Sequence, residues 1–254
     1  MSKKRHQKTM SNTPPIHQES RFLAIDALRG TALLAMFAYH FTFDINYFGV
    51  IRQNFYEDPF WSGCRALILS SFLLLVGINL VLANRNEIRW KAVAQRFAQV
   101  AGCAALVSVG SYWMFPQSGI FFGVLHHIAV ASLLGLAFLH LKWMNGVLGL
   151  VLIGLGVALK LSLFDAPALQ WIGLMTHKPI TEDYVPMLPW FGVVLLGTFV
   201  GNRLLSGNFP RIKTWQPTNG AFRLLALAGR HSLLLYMVHQ PVFFGILQTV
   251  FGGS

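Results

Sequence analysis

Apolar residues in this chain fill long unbroken runs instead of alternating with polar ones. Seven runs stand out, at about 22–43, 62–83, 97–115, 120–141, 146–164, 187–205 and 231–251. Each is close to the roughly 20 residues a helix needs to cross the hydrocarbon of a bilayer. A membrane barrel would show a period of two, so the pattern predicts helices. The expected fold is all-α, a polytopic membrane bundle of about seven transmembrane helices. A further stretch at about 222–229 either extends the last helix or forms a separate interfacial one. Residues 1–20 are polar and basic and read as a disordered cytoplasmic tail, with 21–254 as the membrane domain. The tail lacks the apolar core and cleavage site of a signal peptide.

Composition agrees. Of 254 residues, 54% are hydrophobic and only 11% charged, where a soluble domain carries about 25% charge. That balance excludes a disordered chain, a coiled coil and an ordinary soluble enzyme. The net charge of +11 would suggest nucleic acid in a soluble protein. Here the basic residues divide by side. With the N-terminus inside, about fifteen lysines and arginines fall on inner segments, against Arg52, Arg65, Lys160 and Lys178 outside. The asymmetry predicts a cytoplasmic N-terminus and an outer C-terminus, with the bilayer and not nucleic acid as the partner. Cys64 and Cys103 sit in apolar segments without metal or redox spacing and read as packing residues.

Charge inside a span is where chemistry is sought, because it costs roughly 2.5–3.5 kcal/mol on insertion scales. The first run holds Asp26, Arg29 and His40, followed by Asp44. At about 100° per residue, Arg29 and His40 differ by only about 20° around the axis and lie roughly 16 Å apart along it. Asp26 is one turn before Arg29 and Asp44 one turn after His40, so all four share a face. Asp26 and Arg29 alone also fit an interfacial ion pair. His126, His127 and His239 lie within later runs, His239 just before the kinking Pro241. Each serves equally as an interhelical hydrogen bonder. Their spacing supplies no ligand set, so no metal is expected. Trp190 reads as an interfacial anchor. The segment NRNEIRWKAVAQR, with Arg89, Lys91 and Arg96, suits lipid headgroups or the phosphates of a cofactor held from the cytoplasm. Phosphate-loop and G-x-S-x-G signatures are absent.

The segment RFLAIDALRGTALLAMFAYHFTFD, with Arg29 and His40, resembles the opening helix of transmembrane acyltransferases. With SFLLLVGINLVLA, IFFGVLHHIAVASLL, DYVPMLPWFGVVLLG and GRHSLLLYMVHQP, the chain is similar to bacterial proteins related to the heparan-α-glucosaminide N-acetyltransferase catalytic domain, over about residues 21–243. The resemblance implies acetyl-CoA as donor on the cytoplasmic side of a bacterial inner membrane. It implies an extracytoplasmic sugar or glycan as acceptor. By position, His40 becomes the catalytic base or acyl carrier, with Asp44 beside it to orient it. Asp26, Arg29, Arg89, Lys91 and Arg96 become candidates for binding the CoA. His126, His127, His239 and Trp190 become candidates for contacting or supporting the substrate. Glu182, Asp183 and Tyr184 lie in the second outer loop, where plain solvation competes with acceptor contact. A transporter using the same polar residues is the competing reading, although the chain shows no pairing of broken helices between halves. Whether the protein forms a homo-oligomer is left open.

Overall fold

A computed structural model describes residues 22–207, 212 and 214–252. The predicted tail at 1–20 lies outside the described residues. The elements in chain order are α1 (Leu23–Tyr47), α2 (Pro59–Ala83), α3 (Trp90–Met114), α4 (Val124–Phe138) and α5 (Met144–Ala158). They continue with α6 (Met187–Leu205), α7 (Gly220–Arg230) and α8 (Ser232–Phe251). A 3-10 turn, Leu139–Leu141, prolongs α4, and two more 3-10 segments, Ser162–Asp165 and Pro167–Ile172, follow α5. No strand forms among the described residues; Phe122 and Tyr184 make one isolated bridge.

A helix occupies each of the seven apolar runs. Five segments are long and apolar enough to cross a membrane: α2, α3, α4 with its 3-10 turn, α6 and α8. Apolar α5 has 15 residues. α1 has 25, but Asp26, Arg29 and Asp44 lower its hydropathy. Helix ends differ from the sequence reading in four places, each for a local reason. α1 runs on to Tyr47, so Asp44 is helical. α3 begins at Trp90, because WKAVAQR, though polar, consists largely of good helix formers. α4 starts only at Val124, because residues before it are drawn into backbone bonds with 182–185. α5 stops at Ala158, and the Leu161 N–H bonds instead to the Leu174 carbonyl at 2.8 Å. The stretch 222–229 is a helix of its own, capped by Asn219, whose side chain accepts from the Phe222 N–H.

Backbones approach closely where glycines meet. A Cβ on Gly77 of α2 would strike the Val194 carbonyl of α6, and one on Gly197 the Leu74 carbonyl. Gly149 and Gly192 bring α5 against α6 in the same way. Small residues at these crossings let helices pack without help from water. α6 is therefore central, with Phe191, Val193, Val194 and Leu195 in a core shared with Leu69 and Leu73 of α2 and Ala131 of α4. α7 runs antiparallel along the start of α1, with Gly229 on the Asp26 backbone and Gly30 on that of Leu225. α8 then turns back and follows the second half of α1, through Phe37–His239 and Phe41–Phe243 ring contacts.

The stretch from 159 to 186 forms a strap over the end of the bundle where α1 finishes, called here the far end. Asp165 accepts from the backbone N–H and the hydroxyl of Thr176, both at 2.8 Å. Hydrogen bonding by Thr176 holds the Asp165 carboxyl below the usual carboxylate range. Glu182 N–H bonds to the Ser118 carbonyl, and Val185 N–H to that of Phe122. The Tyr184 hydroxyl donates to the Gln170 carbonyl at 2.6 Å.

The α1–α7 crossing is open to a direct test. Gly229→Val should lower the thermal midpoint of the detergent-purified protein, since overpacking costs about 1–3 kcal/mol. Gly102→Ala, where nothing lies within 4 Å of a new Cβ, should leave it unchanged or slightly raised.

Candidate active site

The polar face of α1 is divided between two helices. At its start, Arg29 Nη1 lies 3.4 Å from Asp26 Oδ1 and donates to the Gly229 carbonyl of α7 at 3.3 Å. The interfacial ion pair is thus present, and it also ties α1 to α7. Three turns on, His40 and Asp44 meet α8 instead. Gln240 Nε2 donates to Asp44 Oδ1 at 2.7 Å, and Asp44 is only 2% exposed. Asp44 therefore bonds across to α8. His40 has no hydrogen bond to it or to any other described residue.

His239 is firmly oriented. Its Nδ1 lies 2.6 Å from the Tyr236 carbonyl. A carbonyl only accepts, so Nδ1 carries the proton and Nε2 presents a lone pair. The ring stacks on Phe37 at 5.3 Å and meets the edge of Phe243 at 5.9 Å. The His40 ring lies 5.1 Å from it, tilted by 59°, and meets Tyr39 edge-on at 5.8 Å. Among the described residues, five buried side-chain atoms have no hydrogen-bond partner. Three are Asp44 Oδ2, His239 Nε2 and Gln240 Oε1. Buried polar atoms are rarely left so; the other two, His127 Nε2 and Asn145 Oδ1, lie away from this helix pair.

These residues line a cavity of about 840 Å³ at the far end. Its walls include Tyr39, Phe43, Leu69, Phe72, Trp190 and Tyr236, and the strap closes one side. Arg65, Lys160 and Lys178 bring positive charge to it, and Glu182 and Asp183 negative charge. Asp183 Oδ2 accepts from the Val124 N–H at 2.8 Å, at the start of α4. Desolvation pushes the Asp183 carboxyl upward, opposed by that hydrogen bond and by Arg65 and Lys178.

The structure sorts the predicted residues. His40, Asp44, His239 and Trp190 share the cavity. His126 and His127 do not line it. His126 accepts from the Gly123 N–H through Nδ1 at 3.3 Å, and its Nε2 lies 3.2 Å from Ser108 Oγ. Since Ser108 gives its own proton to the Ile120 carbonyl at 2.6 Å, His126 is the donor to Ser108. His127, fully buried, holds the Pro186 carbonyl at 3.2 Å. Both histidines tie α4 to its surroundings. Asp26, Arg29, Arg89, Lys91 and Arg96 also lie outside the cavity walls, toward the other end of the bundle. Arg89 occupies the N-cap position of α3 without a side-chain capping bond, while Lys91 and Arg96 lie in its first two turns. Among the described residues, no group of three or more His, Cys, Asp or Glu is placed to hold a metal.

Sequence reading missed Arg65, Tyr39, Tyr236 and Gln240. Arg65 had a signal, since it is a charge within an apolar run, the same criterion that singled out Arg29. Gln240 adjoins His239 but pairs with a residue 196 positions away, which no local pattern reports.

Compared with known proteins, residues 21–241 match the family model described as heparan-alpha-glucosaminide N-acetyltransferase, catalytic. No curated protein and no solved structure matches the chain.

The Asp44–Gln240 bond predicts a stability pattern. Gln240→Ala should destabilise the purified protein by about 1–3 kcal/mol, because the buried Asp44 carboxyl loses its donor. Replacing both residues by leucine should recover most of that loss in the same thermal melt, because no unpaired polar group remains.

Proposed function

The chain belongs to the heparan-alpha-glucosaminide N-acetyltransferase catalytic family, and from that premise we propose that it is an integral membrane acyltransferase with acetyl-CoA as donor. The acceptor is a sugar or glycan hydroxyl or amine on the far side of a bacterial cytoplasmic membrane. The observation that carries the reading is the histidine pair, His40 and His239, 5.1 Å apart in a large far-end cavity.

Acyl transfer needs a base for the attacking group and donors for the charge that develops on the acyl oxygen. An imidazole is suited to the first task near neutral pH. His40 removes the proton from the acceptor O–H or N–H, while His239, fixed by Tyr236, offers its Nε2 lone pair beside it. The thioester supplies the acetyl group. As the new C–O or C–N bond forms, the C–S bond breaks, and the proton passes from the histidine to the leaving sulfur. The Gln240 amide and the Tyr39 and Tyr236 hydroxyls are donors in the same walls. Asp44 acts as a positioning residue through Gln240. A covalent variant has His40 take the acetyl group on a ring nitrogen before the acceptor attacks.

The donor is assigned to the other end. Arg29, with Asp26 as its partner, and Arg89, Lys91 and Arg96 provide cationic groups where the positive-inside asymmetry places the cytoplasm. Arginine suits phosphate because its planar fork donates two parallel hydrogen bonds.

Two measurements test this reading. In proteoliposomes given radiolabelled acetyl-CoA and a panel of sugars and amino sugars, His40→Ala should reduce transfer by about 10²–10⁴-fold, as should His239→Ala. Wild-type rates in both variants would remove the histidine pair from the chemistry. Labelled enzyme trapped in wild type and absent from His40→Ala would select the covalent variant. Separately, CoA should raise the thermal midpoint by mass action, with a smaller rise in Arg29→Ala. An equal rise in the two proteins would take Arg29 out of donor binding.

A further inference from the structure

We propose that the far-end cavity contains an anion subsite, built from Arg65 of α2 and Lys178 of the strap, that seats a phosphate, sulfate or carboxylate group of the bound substrate. The subsite itself is read from the cavity; only the naming of donor and acceptor rests on the acyltransferase reading.

Arg65 lies near the start of a helix apolar enough to cross a membrane. An arginine there is expensive unless it faces a cavity or finds a partner. Arg65 faces the cavity, and among the described residues it makes no hydrogen bond or ion pair. Lys178 reaches the same space from the strap, and Lys160 from beyond α5; neither has such a partner. Each carboxylate of these walls accepts a hydrogen bond from another group, and none forms an ion pair with these cations, although Asp183 and Glu182 act on them through space. Asp44 accepts from Gln240, Asp183 from the Val124 N–H, and Glu182 from the Ser118 hydroxyl at 2.5 Å.

Arg65 and Lys178 are also close enough to feel each other. Desolvation by the cavity walls, and then the Arg65 charge, hold the Lys178 ammonium below its usual range, opposed by Asp183 and Glu182. Two cations sharing a space walled by Phe43, Phe55 and Leu69 repel more strongly than they would in water. A bound anion relieves that repulsion and gives the arginine fork a bidentate partner. Two substrates could bring the anion. One is an acceptor carrying an acidic group, the other the phosphate-bearing donor.

The test measures binding and needs no turnover, so it stands apart from the fate of the histidine chemistry. Thermal midpoints of the full-length protein in detergent are titrated with inorganic phosphate, glucosamine, glucosamine 6-phosphate and CoA. Wild type is compared with Arg65→Gln, Lys178→Gln and the charge-preserving Arg65→Lys. The expected result is apparent binding of glucosamine 6-phosphate about tenfold tighter than of glucosamine in wild type, a preference worth about 1.4 kcal/mol. That preference should vanish in the two Gln variants and survive in Arg65→Lys, which marks the acceptor as the anion source. If the two sugars bind alike and only CoA or phosphate binding weakens in the Gln variants, the subsite stands and the donor occupies it. If no phosphate-bearing probe distinguishes wild type from Lys178→Gln or from a folded Arg65→Gln, the proposal is wrong. Should Arg65→Gln not fold, Lys178→Gln and Arg65→Lys still decide the matter.

Discussion

Hydrocarbon offers no water to a polar side chain, and α1 carries four charged or ionisable groups on one face. That face must be covered by protein. α7 and α8 provide the cover, lying along successive halves of α1. The contact is possible because Gly30 and Gly229 remove the side chains that would hold α7 away. The Arg29–Asp26–Gly229 arrangement at one end, and the pairing of His40 and Asp44 with His239 and Gln240 at the other, follow from this one requirement.

The two halves are satisfied to different degrees. Near the start of α1, the ion pair and the Gly229 carbonyl take up charge within the bundle. At the far end, Asp44 Oδ2, His239 Nε2 and Gln240 Oε1 are buried without partners. His126 shows the contrast, since both its ring nitrogens are engaged with Gly123 and Ser108. His127 holds the Pro186 carbonyl through Nδ1 and also keeps a buried, unpartnered Nε2, so what sets His239 apart is its place in the cavity wall beside His40.

The strap and α6 give the far end its shape. Gly77, Gly197, Gly149 and Gly192 draw α2 and α5 tightly onto α6, so the bundle is dense beneath the cavity. Above it, the strap is anchored to residues 118–124 by backbone bonds and by Asp183 at the start of α4. The cavity lies between a closely packed helical floor and a hydrogen-bonded cover, with aromatic walls and charge at Arg65, Lys160 and Lys178.

Much of the architecture was legible along the chain. Seven apolar runs became seven helices, because span length and hydropathy are set by the bilayer and need no knowledge of neighbours. The shared face of Asp26, Arg29, His40 and Asp44 was equally legible, because 3.6 residues per turn is a local rule. The ends of α3, α4 and α5 were less so, since backbone bonds to distant segments moved two of them. Which histidine meets His40 could not be read at all. His126, His127 and His239 look alike in sequence, and only the return of α8 along α1 brings His239 to the site. The same holds for Gln240 and Arg65. The sequence by itself determined which polar groups enter the membrane and on which helix face they lie. The tertiary structure decided which of them meet, because partners far apart in the chain become neighbours only when the helices pack.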